Sequence, residues 1–594
     1  MVKSFGRIFT IVKQHRFRLV LSQVMMFIAA LATVGYSTLI APLVNEGMGA
    51  NNVDAALQIG IWMLVLAVIM GICMAIAASQ AVYFSQGTAY VVRKYLYDKI
   101  QAYSFENYDH LSTGNLMVRL NADVVNVQNA MQYAIMLGSF APFMLLATVI
   151  LAIINTPDLL WVLLVVVVVV LLLMWWLIPA IFKAYKIRQH QLDGLNNTLQ
   201  ENLTGISVVK AFVREKYEIE KFSQNADAIR TPAYDAAWRV AFLSPLLTAV
   251  GQLSIQLAMW AGGSQIMTGT DLTIGQLSTF TSYMSLIIVP LALMSIVVPL
   301  ILRGDVSAER IFEAYDAEPT VLDKPDIKPM DPEEIQGRIA FENVSFAFRR
   351  RDGELDPPAL KNINLTIEPG QKVGILGATG AGKSALINLI PRFYDVTDGR
   401  ITLDGIDVRD FPQDNLQQII GIALQEAVLF QGDLRFNLKY GDPQVDDDVM
   451  FEAAKAADSY GFIMNLPEKW DAPVSRRGYN FSGGQRQRIS INRALTAQPK
   501  VIILDDSTSA LDASTEGRVQ NAIPEFMHGA TTIYVAQRIS AVIDLDHIYL
   551  LENGEIIAQG SHEELLLSSS LYQEIYESQL GGGVIAGLEL EEVS

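Results

Sequence analysis

The sequence predicts a multidomain chain: an all-α polytopic membrane domain followed by a cytoplasmic α/β domain built around a phosphate-binding loop. Three observations predict it. Six long uncharged apolar stretches crowd the first half. Short β-rich runs alternate with helical ones from residue 339 onward. The charge is split between the halves: residues 1–310 carry 20 Lys and Arg against 17 Asp and Glu, and residues 311–594 carry 24 against 45. The first half is thus nearly neutral and apolar, and the second acidic and soluble in character.

The apolar stretches lie near residues 19–43, 57–80, 131–154, 159–182, 240–267 and 274–302. Each meets the requirement of about 20 apolar residues for a helical crossing. The fourth contains Val165–Val170 and Leu171–Leu173, apolar on every side, so contact with lipid is expected. Lys and Arg give the orientation. Lys3, Arg7, Lys13, Arg16 and Arg18 precede the first span, and Arg93, Lys94, Lys99 and Arg119 lie between spans two and three. Nine more, from Lys183 to Arg239, lie between spans four and five, while the loops near 44–56, 155–158 and 268–273 have none. By the positive-inside rule both termini, both long loops and the acidic half are cytoplasmic, in a cell membrane. No small-residue cleavage site follows the first apolar run, so no cleavable signal peptide is read. Residues 3–15 mix apolar and basic positions, as a helix lying along the inner membrane surface would. The single cysteine, Cys73, falls in the second span and is read as a packing residue.

Spans must be helical, because backbone groups cannot stay unpaired in lipid. The two long loops continue in helical patterns, so the helices are expected to run past the bilayer and turn near Leu111–Asn115 and Phe212–Lys216. Glu318–Pro332 is rich in Pro and Asp. The expected divisions are a transmembrane domain over 1–317, a linker over 318–338, a nucleotide-binding domain over 339–580 and a flexible tail over 581–594, which opens with three glycines.

Gly377, Ala378, Thr379, Gly380, Ala381, Gly382, Lys383 and Ser384 spell GATGAGKS, the Walker A pattern G-x-x-x-x-G-K-[ST]. An apolar strand, Lys372–Leu376, precedes it, and a helical run, Ser384–Phe393, follows. Glycines let backbone N–H groups close around phosphates, and the helix start adds partial positive charge. Lys383 reaches the β- and γ-phosphates of ATP, and the Ser384 hydroxyl can ligate Mg²⁺. Val501–Asp505 is an apolar strand ending in a carboxylate, the Walker B pattern, with Asp505 a further Mg²⁺ ligand.

Phe481, Ser482, Gly483, Gly484 and Gln485 read FSGGQ, which resembles the LSGGQ signature of ATP-binding-cassette (ABC) ATPases. Gln425 resembles the family's Q-loop, where the glutamine also approaches Mg²⁺. Ser509 and Asp512, in SALD, match its D-loop, and Phe348 stands where the family places an aromatic that stacks on adenine. With six spans ahead of the cassette, the resemblance covers nearly the whole chain and is to ABC exporters, since importers usually carry membrane and ATPase parts on separate chains. It implies a type I exporter fold, and short coupling helices near the two loop tips. It also implies a second half-transporter as partner: the Ser482 end of the signature reaches the γ-phosphate of ATP held by the other subunit. Nothing suggests a nucleic-acid partner.

The chain departs from the family at the catalytic centre. The residue after Asp505 is Asp506, where the family has a glutamate as general base. Gln537 stands where it has a switch histidine, and Arg476 where exporters usually show Glu. Asp is one methylene shorter, and a misplacement of about 1 Å can cost on the order of a hundredfold in rate. A glutamine carries no proton or positive charge near neutral pH. Both changes weaken water activation and leave phosphate and Mg²⁺ binding intact. That resembles the degenerate subunit of heterodimeric bacterial exporters. A slow homodimeric exporter using Asp506 is the alternative, and an ATP-gated channel or regulatory membrane protein a further one. The spans offer Gln23, Gln252, Gln256, Trp260 and Tyr283 but no Asp, Glu, Lys or Arg. Such a lining suits apolar or amphipathic small substrates and shows no charged ion path.

Overall fold

A computed structural model gives the fold of residues 3–350, 352–509 and 511–580. The tail expected over 581–594 lies outside these described residues, as does Ala510 within the SALD segment. The chain forms two compact units. One runs to Gln101 and resumes over Thr113–Asp316; the other takes Ala102–Ser112 together with the residues from Ala317 onward.

The first unit is all helix. Among the described residues, five helices are long and apolar enough to cross a membrane: Lys13–Met48, Val53–Gln101, Thr113–Asn155, Pro157–Ile181 and Glu215–Met267. The sixth expected span lies on the unbroken helix Ile274–Tyr315. At 1.5 Å per residue, the 49 residues of Val53–Gln101 extend ~74 Å, more than twice the hydrocarbon core of a bilayer. The fourth span likewise continues to Thr204. The second reversal carries a short helix, Ile206–Ala211; the short helix of the first, Phe105–His110, belongs to the other unit. The second chain reversal occupies Phe212–Arg214, because Glu215 already begins the next helix.

Small residues line the helix interfaces: Ala29, Ala30, Ala77, Ala81, Ala147, Ala152 and Ala258 are completely buried. Lipid offers helices no hydrophobic drive to associate, so close backbone approach supplies the packing instead. Gly251 shows how close: a Cβ there would overlap the Ile288 side chain. The Val-rich fourth span is not equivalent on all sides. Val162, Val166 and Val170 are buried at helical spacing, while Leu164, Leu171 and Leu172 are exposed, so one side packs and the other faces outward. Cys73 is buried in the second span.

The N-terminal helix, Lys3–Ile11, has its apolar face against protein as well. Phe5 and Ile8 are buried, and the Phe5 N–H donates to Asp305 Oδ1 at 3.2 Å. The Arg7 guanidinium lies 4.0 Å from the Phe312 ring and forms a two-pronged ion pair with Asp316, at 2.7 and 2.8 Å.

The second unit holds two main sheets. Strands β1 (Ile339–Phe346), β2 (Leu360–Ile367), β4 (Asp398–Leu403) and β5 (Ile406–Asp407) form an antiparallel sheet in the order β2-β1-β4-β5. Strands β3 (Lys372–Leu376), β6 (Ile420–Ala423), β9 (Val501–Asp505), β10 (Thr531–Ala536), β11 (His547–Glu552) and β12 (Glu555–Gly560) form the other, in the order β12-β11-β3-β10-β9-β6. Its pairs are parallel except β11–β12. A two-residue pair, β7 (Gly432–Asp433) with β8 (Pro473–Val474), completes the set. The expected parallel sheet therefore holds KVGIL, VIILD and TTIYVA, whereas IAFENVSFAF and ITLDG belong to the antiparallel one. Alternation explains why the parallel strands read as continuous apolar runs. Val501 and Ile503 enter the core shared with the antiparallel sheet, and Ile502 and Leu504 enter the core beneath the outer helices.

Candidate nucleotide site

The phosphate loop leaves the end of β3 and enters the helix Lys383–Leu389. That helix is shorter than the expected Ser384–Phe393. Ile390 still has helical backbone, but Pro391 has no N–H to carry the helical ladder on, and Arg392 turns to φ +55°. The loop can be built only from small residues. Gly382 has φ +106°, and a Cβ on it would stand 2.8 Å from the Ala359 carbonyl oxygen; one on Gly377 would overlap the carbonyl oxygen of Leu551. Ala378, Thr379, Gly380 and Ser384 are exposed around the loop, while Ala381 is buried. Lys383 is buried, and its Nζ donates to the carbonyls of Gly377 at 2.7 Å and Ala378 at 3.0 Å. Burial lowers its pKa, and the Asp506 and Asp505 carboxylates oppose that shift.

Four neighbouring strands, β3, β10, β9 and β6, are parallel, so their carboxyl ends open on one edge. β3 delivers the phosphate loop, β10 delivers Gln537, β9 delivers Asp505 and Asp506, and β6 leads to Gln425. This brings together residues up to 160 positions apart. The Gln425 side-chain amide donates to Asp506 Oδ2 at 3.3 Å, and the Thr379 hydroxyl donates to Gln537 Oε1 at 3.2 Å. Asp506 has φ +44°, and its N–H donates to the Val535 carbonyl at 3.0 Å. This left-handed turn at the end of β9 is one that Asp tolerates better than most residues.

Both carboxyls have raised pKa values. For Asp505 burial is the main cause and the Asp506 charge adds to it; for Asp506 burial is again the main cause, opposed by Lys383 and Arg538. A divalent cation beside such a pair would favour its charged form. The described residues contain no cluster of three His, Cys, Asp or Glu placed to hold a metal. An ion here would take Asp505, Ser384 and Gln425 on one side and phosphate oxygens on the other, the oxygen-rich arrangement Mg²⁺ favours. The strained glycine loop, the buried lysine and these carboxyls fit a Mg²⁺–nucleotide.

The signature residues lie apart. Ser482 caps the helix Gly483–Thr496: its hydroxyl accepts from Gln485 N–H at 3.2 Å, and Gln485 Oε1 accepts from Ser482 N–H at 2.9 Å. Phe481 anchors this start by burying its ring with Leu429, Leu434, Trp470 and Ile489. Ser482 and Gly483 are exposed, Gly484 and Gln485 partly so, and among the described residues no hydrogen bond joins the signature to the phosphate loop. The Ser509 hydroxyl donates to the Asp506 carbonyl at 2.8 Å, and Asp512 caps the helix Ala513–Phe526 through Thr515 N–H at 3.0 Å. Phe348 follows β1 and meets Phe346 and Tyr394 edge-on, at 4.8 and 5.5 Å between ring centres, with about a third of its surface exposed. Arg476 opens a 3₁₀ turn over Arg476–Gly478 and is exposed.

Several contacts around the site have no local sequence signal. Asp458 accepts from Arg488 on the signature helix at 2.9 Å, and from Arg518 on the helix after SALD at 3.1 and 3.2 Å. Gln579 holds the backbone beside Gln537. Tyr394 donates to Asp109 Oδ2 at 2.8 Å, and Phe393 stacks on Phe105 at 4.2 Å. These last contacts place the helix Phe105–His110 in the second unit, against the segment that follows the phosphate-loop helix.

Residues 19–291 match the family model of the ABC transporter transmembrane region, and residues 360–509 match the ABC transporter model. The chain is 33% identical over 543 residues to YfiB, an uncharacterised ABC transporter ATP-binding protein of Bacillus subtilis, covering 91% of this chain and 93% of that one. It is 32% identical to an ATP-dependent lipid A-core flippase of Syntrophus aciditrophicus, over 97% of this chain and 94% of that one. Among solved structures, that of a bacterial Atm1-family ABC exporter with ATP bound superposes with a TM-score of 0.78 at 23% identity, covering 94% of this chain and 98% of that one.

Proposed function

Since this chain belongs to the ABC transporter family, with a helical membrane region fused to an ATPase domain, we propose that it is one half of a heterodimeric exporter. ATP hydrolysis drives apolar or amphipathic, drug- or lipid-like compounds across the cell membrane. This chain binds Mg²⁺–ATP on Gly377–Ser384, Asp505 and Gln425, with Phe348 against the adenine. It hydrolyses that ATP weakly, and its Ser482 end completes the partner's hydrolytic site. Both termini and the ATPase domain are cytoplasmic; the membrane domain spans 1–317 and the nucleotide-binding domain 339–580, joined by the linker 318–338.

One observation carries this reading: Asp506 and Gln537 flank the phosphate loop where a glutamate base and a histidine would stand. The Asp506 carboxylate, one methylene short, is engaged by Gln425 at 3.3 Å, and Gln537 by Thr379 at 3.2 Å. Phosphate and Mg²⁺ ligands remain, while water activation is weakened. The lipid substrate named for the Syntrophus relative supports an amphiphile as cargo, as do spans free of Asp, Glu, Lys and Arg.

The test uses the transporter purified from its native membrane with its partner half and reconstituted in liposomes. Asp506→Asn should leave most ATPase activity and ATP-dependent flux. Neutralising the partner's carboxylate at the same position should cost ~10²-fold or more, the scale of losing a general base. Near-complete loss with Asp506→Asn, or full activity from this chain alone, would overturn the heterodimer reading. Fast passive flux on nucleotide addition would overturn the pump.

A further inference from the structure

The helix Ser570–Leu580 closes the described part of the ATPase domain, and one of its side chains grips the segment carrying Gln537. Gln579 Oε1 accepts the Ile539 N–H at 2.8 Å, and its Nε2 donates to the Gln537 carbonyl at 3.0 Å. These two bonds bracket the stretch between the end of β10 at Ala536 and the 3₁₀ turn beginning at Ile539. Sheet pairing ends there, so a side-chain amide supplies one donor and one acceptor to backbone that has left the ladder. On the other side of the same residue, the Gln537 side chain takes the Thr379 hydroxyl of the phosphate loop at 3.2 Å.

Gln579 is itself held in register. Tyr572, Tyr576 and Gln579 recur at the i, i+4, i+7 spacing of one helix face. Tyr572 is completely buried and Tyr576 nearly so, in the core that also contains Ile539 and Leu550. The Tyr572 hydroxyl lies 2.8 Å from His562 Nδ1. The helix is therefore anchored by contacts beyond Gln579 itself, and Gln579 carries that anchorage to the Gln537 backbone.

We propose that Gln579 is a positioning residue for nucleotide recognition: by fixing the Gln537 backbone, it sets the Gln537 side chain at the distance where it meets the terminal phosphate of ATP. This rests on the proposed function above, in which Gln537 stands in the place of the switch histidine beside the phosphate loop; its contact with the γ-phosphate is part of the present proposal. Gln579 does not touch nucleotide. Its influence is confined to triphosphate, because a diphosphate has no group for Gln537 to meet.

The experiment measures displacement of trinitrophenyl-ATP from the full-length chain in lipid nanodiscs with Mg²⁺, by the non-hydrolysable triphosphate AMP-PNP and by ADP. Gln537→Ala should weaken AMP-PNP about fivefold relative to ADP, the scale of one hydrogen bond. Gln579→Leu should weaken AMP-PNP in the same direction, about threefold, and leave ADP unchanged. Gln579→Glu keeps an acceptor for Ile539 but sets a carboxylate oxygen against the Gln537 carbonyl, so it should weaken AMP-PNP at least as much as Gln579→Leu. The double variant Gln537→Ala/Gln579→Leu should match Gln537→Ala alone, because the two act in series. Equal weakening of both nucleotides by Gln579→Leu, additivity in the double variant, or no effect of Gln579 changes where Gln537→Ala has one, would each overturn the proposal. An unchanged AMP-PNP to ADP ratio in Gln537→Ala would instead overturn the γ-phosphate reading, and this role with it. Gln579→Glu keeps the test open if Gln579→Leu folds poorly.

Discussion

Gln425 and Asp506 are joined side chain to side chain at 3.3 Å, across the carboxyl ends of β6 and β9. The glutamine amide thus takes one acceptor site of the Asp506 carboxylate. A glutamate at 506 would extend one methylene further and place its carboxylate beyond this contact. We expect Asp506→Glu with Gln537→His to raise turnover at this chain's own site. The measurement is ATPase activity of the assembled transporter after the partner's base has been neutralised. A rise of ~10-fold or more is expected; no rise would show that hydrolysis here is limited by something other than these two side chains.

Ser482 tests the role of the signature end. Ser482→Ala removes a helix cap and should cost about 1 kcal/mol of stability while leaving the start of the helix open. Ser482→Arg places a bulky cation at the same exposed point. It should nearly abolish turnover by the complex while this chain's own nucleotide photolabelling stays close to wild type. Normal ATPase activity in Ser482→Arg would argue against a composite site.

Asp458 ties two elements together: the signature helix through Arg488 and the helix after SALD through Arg518. Asp458→Ala leaves Arg488 the backbone carbonyl of residue 458, at 2.8 Å, but removes the carboxylate, and it puts alanine at φ +52°. We expect a loss of about 1–2 kcal/mol, seen as a lower thermal midpoint of the full-length protein by tryptophan fluorescence. Asp458→Asn retains acceptor capacity and should lose less. Equal loss in both would mean that the charge matters more than the hydrogen bonds.

Cysteine labelling tests the orientation. Asn51 and Thr113 are both exposed, and the native Cys73 is buried. In a Cys73→Ser background, Asn51→Cys should react with an impermeant maleimide added to intact cells, and Thr113→Cys only after permeabilisation. The reverse pattern would invert the topology.

Much of the nucleotide site was legible because its parts are local. A strand, a glycine turn and a helix start are neighbours in sequence, so Gly377–Ser384 announces a phosphate loop by spacing alone. Val501–Asp505 does the same for a buried strand ending in a carboxylate. The apolar stretches were legible for a similar reason, since a bilayer sets a minimum length that composition must meet. Helix ends were read less well: the phosphate-loop helix stops at Leu389, several residues before Phe393, because Pro391 brings no N–H to the ladder and Arg392 turns to φ +55°.

Sequence by itself determined which side chains stand at the carboxyl ends of β9 and β10, because Asp506 and Gln537 are identities, and identity does not depend on folding. Only the tertiary structure decided what those side chains meet. The order β3-β10-β9-β6 brings Thr379 to Gln537 and Gln425 to Asp506, and strand order is set by long-range pairing that no local pattern encodes. The same holds for IAFENVSF, whose alternation is the same in either kind of sheet and whose antiparallel partners are chosen by β2 and β4. It holds most of all for Gln579: nothing in the residues around it points to Gln537. It reaches that backbone because Tyr572 and Tyr576 bury one helix face and leave the next turn's side chain at the edge of the site.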